Sequence, residues 1–391
     1  FTNLVCTGEG EQIILEIAER IDSNQPLSDI KGTLFKQADG NIQHNGKAPL
    51  SDLSSIALPN YDPQNYTYIN GWRFEREVPH NHRDPDKSFQ IMTQRGCPFS
   101  CTFCIESYLQ NEFGKKEHLR RTSVDRAIAE LKYAKDQLGF ESIAFWDDVF
   151  PINPDWLDEF LPRYKAEIGL PFFCYTYPST TKPQILAKLK EAGCRTITMG
   201  IQSGSERILH DVFDRRTKRT QVLSAANVLI ESGIPFAHVD LIPKTAFDTL
   251  EDLEDTLQLL MDLPQQLAPT FFNELAIYPN YPIHQKLEEY NVIGTSNALP
   301  EETYVYYFKL MTLTRYPQFS IEFINELHNN PIYRNDHSLL NQFLPSDEEN
   351  LTNSIPGHQM VKDQKPDSDL QTLNAAPSIF KRLKEKVIGS N

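Results

Sequence analysis

Ser88-Phe-Gln-Ile-Met-Thr-Gln-Arg-Gly-Cys-Pro-Phe-Ser-Cys-Thr-Phe-Cys-Ile105 runs from an apolar segment into three cysteines spaced within eight residues. Phe89–Thr93 has the length and composition of a buried strand, and Gly96 and Pro98 turn the chain just beyond it. Cys97, Cys101 and Cys104 thus stand in the loop that leaves the strand, and no fourth cysteine follows at a spacing that completes a set. A structural zinc or an electron-transfer cluster takes four protein ligands, so three thiolates in one short loop point to a metal with a coordination position open for chemistry. Zinc completed by a distant His or Cys, and chance clustering of core cysteines, are the alternatives that spacing leaves open. A disulfide framework is not indicated, because Cys6, Cys174 and Cys194 are single and dispersed.

Downstream of the loop, short apolar runs alternate with amphipathic segments. The pattern predicts helix Val124–Gln137, strand Ser142–Trp146, helix Pro154–Ile168, strand Phe172–Tyr175 and helix Pro183–Ala192. It continues with strand Thr196–Gly200, helix Thr220–Glu231, strand Phe236–Ile242, helix Leu250–Met261 and strand Phe271–Ile277. Six strands separated by helices imply an α/β fold of parallel βαβ units closing into a full or partial barrel. Function then belongs on the loops at the carboxyl ends of the strands, where the cysteines stand.

Composition bounds the rest. The chain has 391 residues, 40% hydrophobic and 23% charged, which is ordinary for a globular enzyme. A net charge of −15 argues against nonspecific nucleic-acid binding, since the short basic run Arg215–Arg219 is too small to carry it. No apolar run approaches a membrane span and no secretory signal opens the text, so a reduced, cytoplasmic setting is expected. None of the ten His residues forms a pair four apart, which leaves a second protein metal site unsupported.

The C-x3-C-x2-C spacing, with Phe103 directly before the last cysteine, resembles the cluster loop of radical S-adenosylmethionine (SAM) enzymes. The resemblance implies a [4Fe–4S] cluster on Cys97, Cys101 and Cys104, with SAM chelating the fourth iron, and a six-stranded partial TIM-like (β/α)6 barrel. It also implies roles at the other strand ends. In Phe145-Trp-Asp-Asp-Val-Phe150, Asp147 or Asp148 is expected to accept hydrogen bonds from the SAM ammonium; a turn-capping pair is the alternative. In Thr198-Met-Gly-Ile-Gln-Ser-Gly-Ser205, Gln202 is placed on the ribose, where relatives often carry Glu, and Ser203 belongs to the segment approaching the ligand. Arg215 occupies the position from which a guanidinium reaches the SAM carboxylate; a solvated charged face is the alternative. Asp240, in His238-Val-Asp-Leu-Ile-Pro243, is a polar candidate facing the barrel. Two segments depart from the family pattern: Pro243-Lys-Thr245 lacks the usual Gly pair, and Tyr278-Pro-Asn-Tyr-Pro282 has Asn280 where Gly would supply a positive φ. An atypical substrate or adenine end is therefore expected.

Phe1–Glu11 followed by Gln12–Ile21 predicts a strand, a Gly-rich turn and a helix, either the last unit of a doubly wound domain or a short helix packed on the main domain. With Ile30-Lys-Gly32 and the spacer Leu50–Tyr61, it resembles the tail of the cobalamin-binding domain of cobalamin-dependent radical SAM enzymes. The Asp-x-His-x-x-Gly loop of that domain does not occur here, so the expectation is a chain lacking most of that domain, with cobalamin implied by the resemblance alone. The expected organisation is residues 1–61 as this remnant, 62–87 as a linker, 88–285 as the barrel and 286–391 as a C-terminal extension. Within the extension, Tyr304–Phe308 and Tyr316–Phe323 are expected to pack in the core or line the substrate pocket, Ser346–Pro377 to be an extended tail, and Pro377–Val387 to form a last short helix.

The resemblance implies reductive cleavage of SAM to a 5′-deoxyadenosyl radical that abstracts hydrogen from a small-molecule substrate, with cobalamin-dependent C-methylation as the modal outcome. Oxidative cyclisation or rearrangement is the alternative within the family, and a non-catalytic metal-binding module the alternative outside it. The implied partner is a low-potential electron donor such as flavodoxin or ferredoxin.

Overall fold

The computed structural model describes residues 3–61, 67–70, 73–75, 88–292 and 299–344. The N-terminal unit holds β1 (Leu4–Cys6), α1 (Glu11–Asp22), β2 (Thr33–Lys36) and β3 (Ile42–His44). Strand and helix fall where the sequence indicates, but β1 pairs antiparallel with β2, and β2 antiparallel with β3. The expected parallel, doubly wound neighbourhood is therefore not what these strands make. The proposed linker contains an antiparallel hairpin, β4 (Tyr68–Asn70) with β5 (Arg73–Glu75), that its aperiodic composition does not announce.

The central sheet comprises β6 (Ser88–Ile91), β9 (Ser142–Phe145), β10 (Phe172–Thr176), β11 (Cys194–Gln202), β12 (Phe236–Lys244) and β13 (Ala268–Glu274). All five pairings are parallel, in the order β13-β12-β11-β10-β9-β6, so β6 and β13 are edges and the barrel is partial. A small ribbon, β7 (Gln94–Arg95) with β8 (Arg120–Arg121), brackets α2 (Ile105–Phe113) and α3 (Lys115–His118). Helices α4 (Val124–Asp136), α5 (Pro154–Arg163), α6 (Pro183–Ala192), α7 (Arg219–Ser232) and α8 (Leu250–Asp262) connect the strands. Their ends carry recognisable stops: Ser123 and Asn153 cap α4 and α5 through their side chains, and Gly193 (φ 108°) ends α6 in the left-handed region.

The six predicted strands all form, and five begin within two residues of the expected start. The exception is β13, which begins three residues earlier and takes in Pro269. Proline lacks the N–H that a central strand needs, but β13 is an edge strand and tolerates it.

Each strand has two chemically different faces. Ile197, Met199 and Ile201 of β11 and Val239 and Leu241 of β12 point outward into the helical layer, where they pack with Leu229, Leu257 and Leu260. Burying each of these side chains contributes roughly 1.5–3 kcal/mol. Thr196, Thr198, His238 and Asp240 alternate with them and line the inner face. Beyond the sheet come α9 (Ile283–Glu289), α10 (Glu301–Leu313), α11 (Ile321–Asn329) and α12 (Pro331–Asn335). Tyr304, Tyr307 and Phe308 of α10 are buried, so these aromatics serve packing. The expected tail and last helix lie outside the described residues. Among the described residues no helix is long and apolar enough to cross a membrane.

A charge clamp ties the N-terminal unit to the ribbon. Glu9 accepts from Arg95 Nη1 (3.0 Å), Arg120 Nη1 (3.1 Å) and the Ser51 amide (3.0 Å), while Glu11 pairs with Arg95. Burial raises the Glu9 carboxyl, but hydrogen bonds from Arg120, Arg95 and Ser51 outweigh it and hold the group at about 2, below its ordinary 4.5. A depressed carboxyl stabilises the fold fully above about 4.5 and loses that contribution as pH falls through about 2. Glu9→Gln is expected to cost about 1–3 kcal/mol at neutral pH. In thermal unfolding the gap between wild type and variant should close as the pH is lowered across that window.

Candidate functional site

The cysteine loop is held by its own backbone. Gln110 of α2 donates its amide to the carbonyls of Cys97 (2.6 Å) and Phe99 (2.8 Å), and Ser107 Oγ donates to Cys101 O (2.6 Å). Thr102 fastens the loop to the segment before α7, its amide on Phe213 O (3.0 Å) and its hydroxyl on Val212 O (2.6 Å). Phe103 packs against Phe213 with ring centroids 4.5 Å apart, an anchoring contact within a small apolar cluster. Gly96 enters the loop at φ 93°, where a Cβ would sit 2.7 Å from the His118 carbonyl oxygen. Glycine is required there on both counts.

These bonds occupy carbonyls and amides while the thiols share one neighbourhood. Burial raises the Cys97 thiol, and the charges of Asp148, Cys101 and Cys104 add to it. Cys104 is pushed up to about 12 by burial, with Asp148, Cys101 and Glu106 contributing. Among the described residues no three of His, Cys, Asp and Glu converge on a single-ion centre. A polynuclear cluster bound through one thiolate per iron does not need that convergence, and its positive charge would offset the burial and mutual repulsion that disfavour free thiolates. The donor set fits such a cluster.

Arg215 is the side chain that joins this loop to the sheet. It is buried, donates Nη2 to the Gly200 carbonyl, and brings Nη1 to 3.8 Å from Cys101 Sγ. Its guanidinium lies 4.0 Å from the Tyr177 ring, which stacks on Phe99 at 3.8 Å and hydrogen-bonds Thr217 at 2.6 Å. Arg215 Nε is buried with no partner among the described residues. β11 ends beside it in a bulge between Gly200 and Gln202, and Gln202 adopts φ 69°. The Gln202 amide nitrogen folds back over Gly200, 2.9 Å from where a Cβ would stand. Bulges of this kind re-aim side chains at strand ends, and a non-glycine residue at positive φ costs of order 1 kcal/mol.

The two adjacent aspartates separate. Asp147 is fully buried, accepts from Thr93 Oγ1 (2.9 Å) and faces Arg121 (3.6 Å), whose guanidinium lies 4.2 Å from the Trp156 ring. Its carboxylate serves an internal ion pair, and of the two aspartates expected as alternatives at the SAM ammonium it is the one turned into the fold. Asp148 is exposed to the concave side, where burial of its surroundings and the charges of Glu106 and Asp147 raise it to about 7. It is the member of the pair that faces Cys97 and Cys104 electrostatically.

Ser203 is turned away from the site. Its hydroxyl accepts from the Ser205 amide (3.1 Å) and meets Thr256 of α8 (3.4 Å), so it braces β11 against that helix. Asp240 lies half-buried on the inner face, opposite Gly200 in register, and raises the Tyr175 phenol after burial does. Asn280 takes φ 68°, the positive value expected of it. Tyr177, Gln110 and the buried Glu106–His118 pair (2.8 Å) complete the surroundings, and local sequence pattern does not single them out.

The aspartates should part in experiment as they do in space. Asp147→Ala leaves Arg121 buried without its counter-charge and is expected to cost about 3–5 kcal/mol in chemical unfolding. Asp148→Ala, at an accessible position without a charge partner among the described residues, should change stability by less than about 0.5 kcal/mol.

Residues 91–260 match the Radical SAM superfamily. An uncharacterized methyltransferase of Pyrococcus horikoshii is 28% identical over 297 residues, covering 75% of this chain and 60% of that protein. Cytidylyl-2-hydroxyethylphosphonate methyltransferase of Streptomyces wedmorensis is 25% identical, covering 54% and 42%. The chain thus spans about half the length of these relatives. The radical SAM methyltransferase TsrM of Kitasatospora setae, with tryptophan substrate and a SAM analogue bound, superposes with a TM-score of 0.59 at 18% identity, over 73% of this chain and 54% of that one. The cobalamin-dependent SAM radical enzyme OxsB, with aqua-cobalamin and SAM bound, gives a TM-score of 0.61 at 14% identity, over 90% and 58%. The family match falls on the strands and loops that assemble the cysteines, Asp148, Gln202 and Arg215, so it is this part of the chain, residues 91–260, that carries the likeness to the Radical SAM superfamily.

Proposed function

We propose that this chain is the catalytic barrel of a radical SAM enzyme that methylates carbon in a small-molecule substrate with cobalamin as a second cofactor. The observation that carries the radical SAM part is Arg215, a buried guanidinium whose Nη1 lies 3.8 Å from Cys101 Sγ and whose Nε has no partner among the described residues. That is the arrangement needed to hold a carboxylate next to a cluster ligand. Methyl transfer is supported by the two curated relatives described as methyltransferases. Cobalamin is supported by OxsB, and no residue role below depends on it.

Cys97, Cys101 and Cys104 would hold a [4Fe–4S] cluster. Reduced by an external donor, such a cluster would supply the electron for reductive cleavage of a C–S bond of SAM, the chemistry by which this group generates the 5′-deoxyadenosyl radical and methionine. Arg215 orients the SAM carboxylate, with Tyr177 and Gly200 fixing the guanidinium. Asp148 accepts from the ammonium, which its surroundings favour because a cation relieves the crowding of negative charge there. Gln202 reaches toward the ribose from its bulge. Asp240 presents a carboxylate from the inner face. The aromatic stack of Phe99 and Tyr177 shields one side of this arrangement from water. On the outer side, a pocket of about 460 Å³ reaches Cys101 between Pro98, Lys115 and Arg216. It offers a short approach for a low-potential electron donor such as flavodoxin or ferredoxin.

Anaerobic reconstitution is expected to give about four irons per chain, and reduction with SAM to give 5′-deoxyadenosine. A full cluster that yields none defeats the proposal. Asp148→Asn should keep the iron and weaken SAM binding roughly tenfold, the scale of one charge-assisted hydrogen bond. Glycine exchanges give a structural check. Gly96→Ala and Gly40→Ala both place alanine at positive φ (93° and 89°), but only Gly96 meets a backbone carbonyl, whereas nothing lies within 4 Å of Gly40. Iron content should fall in the first variant and hold in the second.

A further inference from the structure

We propose that the inner face of the sheet is shaped for a flat, uncharged aromatic or heteroaromatic substrate, stacked on Trp146 and Tyr175 with its hydrogen-bonding edge on Thr196, Thr198 and His238. It rests on the proposed function in that this face is taken as the substrate side of the reaction.

One half of the face is aromatic. Trp146, just past β9, is 42% exposed although it belongs to a packed group, with ring centroids 5.9 Å from Phe173 and 5.6 Å from Tyr175. Phe173 and Tyr175 are themselves 4.8 Å apart in an edge-to-face contact. Trp146 and Tyr175 remain accessible, and the buried Phe173 backs them. A stacked aromatic partner gains about 0.5–1.5 kcal/mol beyond its buried area.

The neighbouring strands supply the other half. Tyr175 pairs in register with Thr198, and Thr198 with His238, so polar groups continue the same row that the aromatic ring begins. Thr196 and Thr198 are each 1% exposed, and neither hydroxyl has a hydrogen-bond partner among the described residues. His238 Nδ1 is likewise buried and unpartnered among them. Burial lowers the imidazole to about 4, so it is neutral at physiological pH. Each unmet buried group costs about 1–3 kcal/mol, a cost that a ligand edge able to both donate and accept would remove.

The chemistry of this row selects against charge. Two hydroxyls and a neutral imidazole carry no cation for a phosphate or carboxylate. Lys244, farther along β12, is already paired with Glu274 (3.2 Å) and Glu301 (2.6 Å). Amide, lactam or hydroxyl edges meet the requirement, and a planar ring meets the aromatic half.

Saturation-transfer NMR on the full chain with naphthalene-2-carboxamide, naphthalene-2-carboxylate and decalin-2-carboxamide tests this, since the second probe changes charge and the third changes planarity. The first probe should bind roughly tenfold tighter than either of the others. Trp146→Leu and Thr198→Val should each weaken it about five- to tenfold. Thr198→Val should meanwhile keep or raise the unfolding temperature, because it removes an unmet buried hydroxyl; this separates lost binding from lost folding. Equal binding of the carboxylate or the decalin, unchanged binding in both variants, or no transfer from the carboxamide overturns the proposal. The titration needs neither cluster nor SAM. Failure here with an intact, SAM-cleaving cluster removes the substrate class alone, and ring binding by a chain that cannot assemble a cluster removes the enzymatic proposal alone.

Discussion

Strand alternation is the constraint on which the rest of this molecule depends. A period of two sends Ile197, Met199, Val239 and Leu241 into the helical layer and leaves Thr196, Thr198, His238 and Asp240 on the enclosed side. The outer set provides cohesion through apolar burial, and the inner set is thereby free to be polar. Because all the strands of this sheet run the same way, their carboxyl ends share one rim, and the loops bearing Cys97–Cys104, Asp148, Gln202 and Arg215 open there together. A single sheet thus separates stability from chemistry by face, and concentrates the chemistry by edge.

Most of this organisation is legible in the residues. Apolar runs of strand length separated by amphipathic helices mark every βαβ unit. Local rules run out where the deciding contact is distant. The role of Gln110 depends on carbonyls eleven and thirteen residues away across a turn, and Tyr177 acquires its place from Phe99 and Arg215. β13 can include Pro269 because it is an edge strand, and edge position is a property of the whole sheet. The antiparallel pairing of β1 with β2 also lies beyond what a lone strand-turn-helix pattern can express.

The aspartate pair shows how adjacent identical residues acquire opposite functions. Leaving β9, Asp147 turns inward to Arg121 and Thr93, and Asp148 turns toward the thiols. The first fixes the path of the chain and the second is left accessible by that fixing. The bulge at Gln202 works by a similar logic, spending backbone strain to direct one amide over Gly200 next to Arg215. In both cases a side chain at the rim is positioned by a neighbour that is itself held in the fold.

The clamp of Glu9 on Arg95 and Arg120 has a consequence for how the protein can be divided. Arg95 stands two residues before Cys97, so the N-terminal unit holds the entrance of the cysteine loop through charge. A barrel excised at Ser88 would retain every strand of the main sheet and every thiol, yet lose the anions that balance two partly buried guanidiniums. Modularity in this molecule therefore stops short of the strand boundaries: the smallest portable catalytic piece includes residues that contribute nothing to the sheet and serve only as counterions.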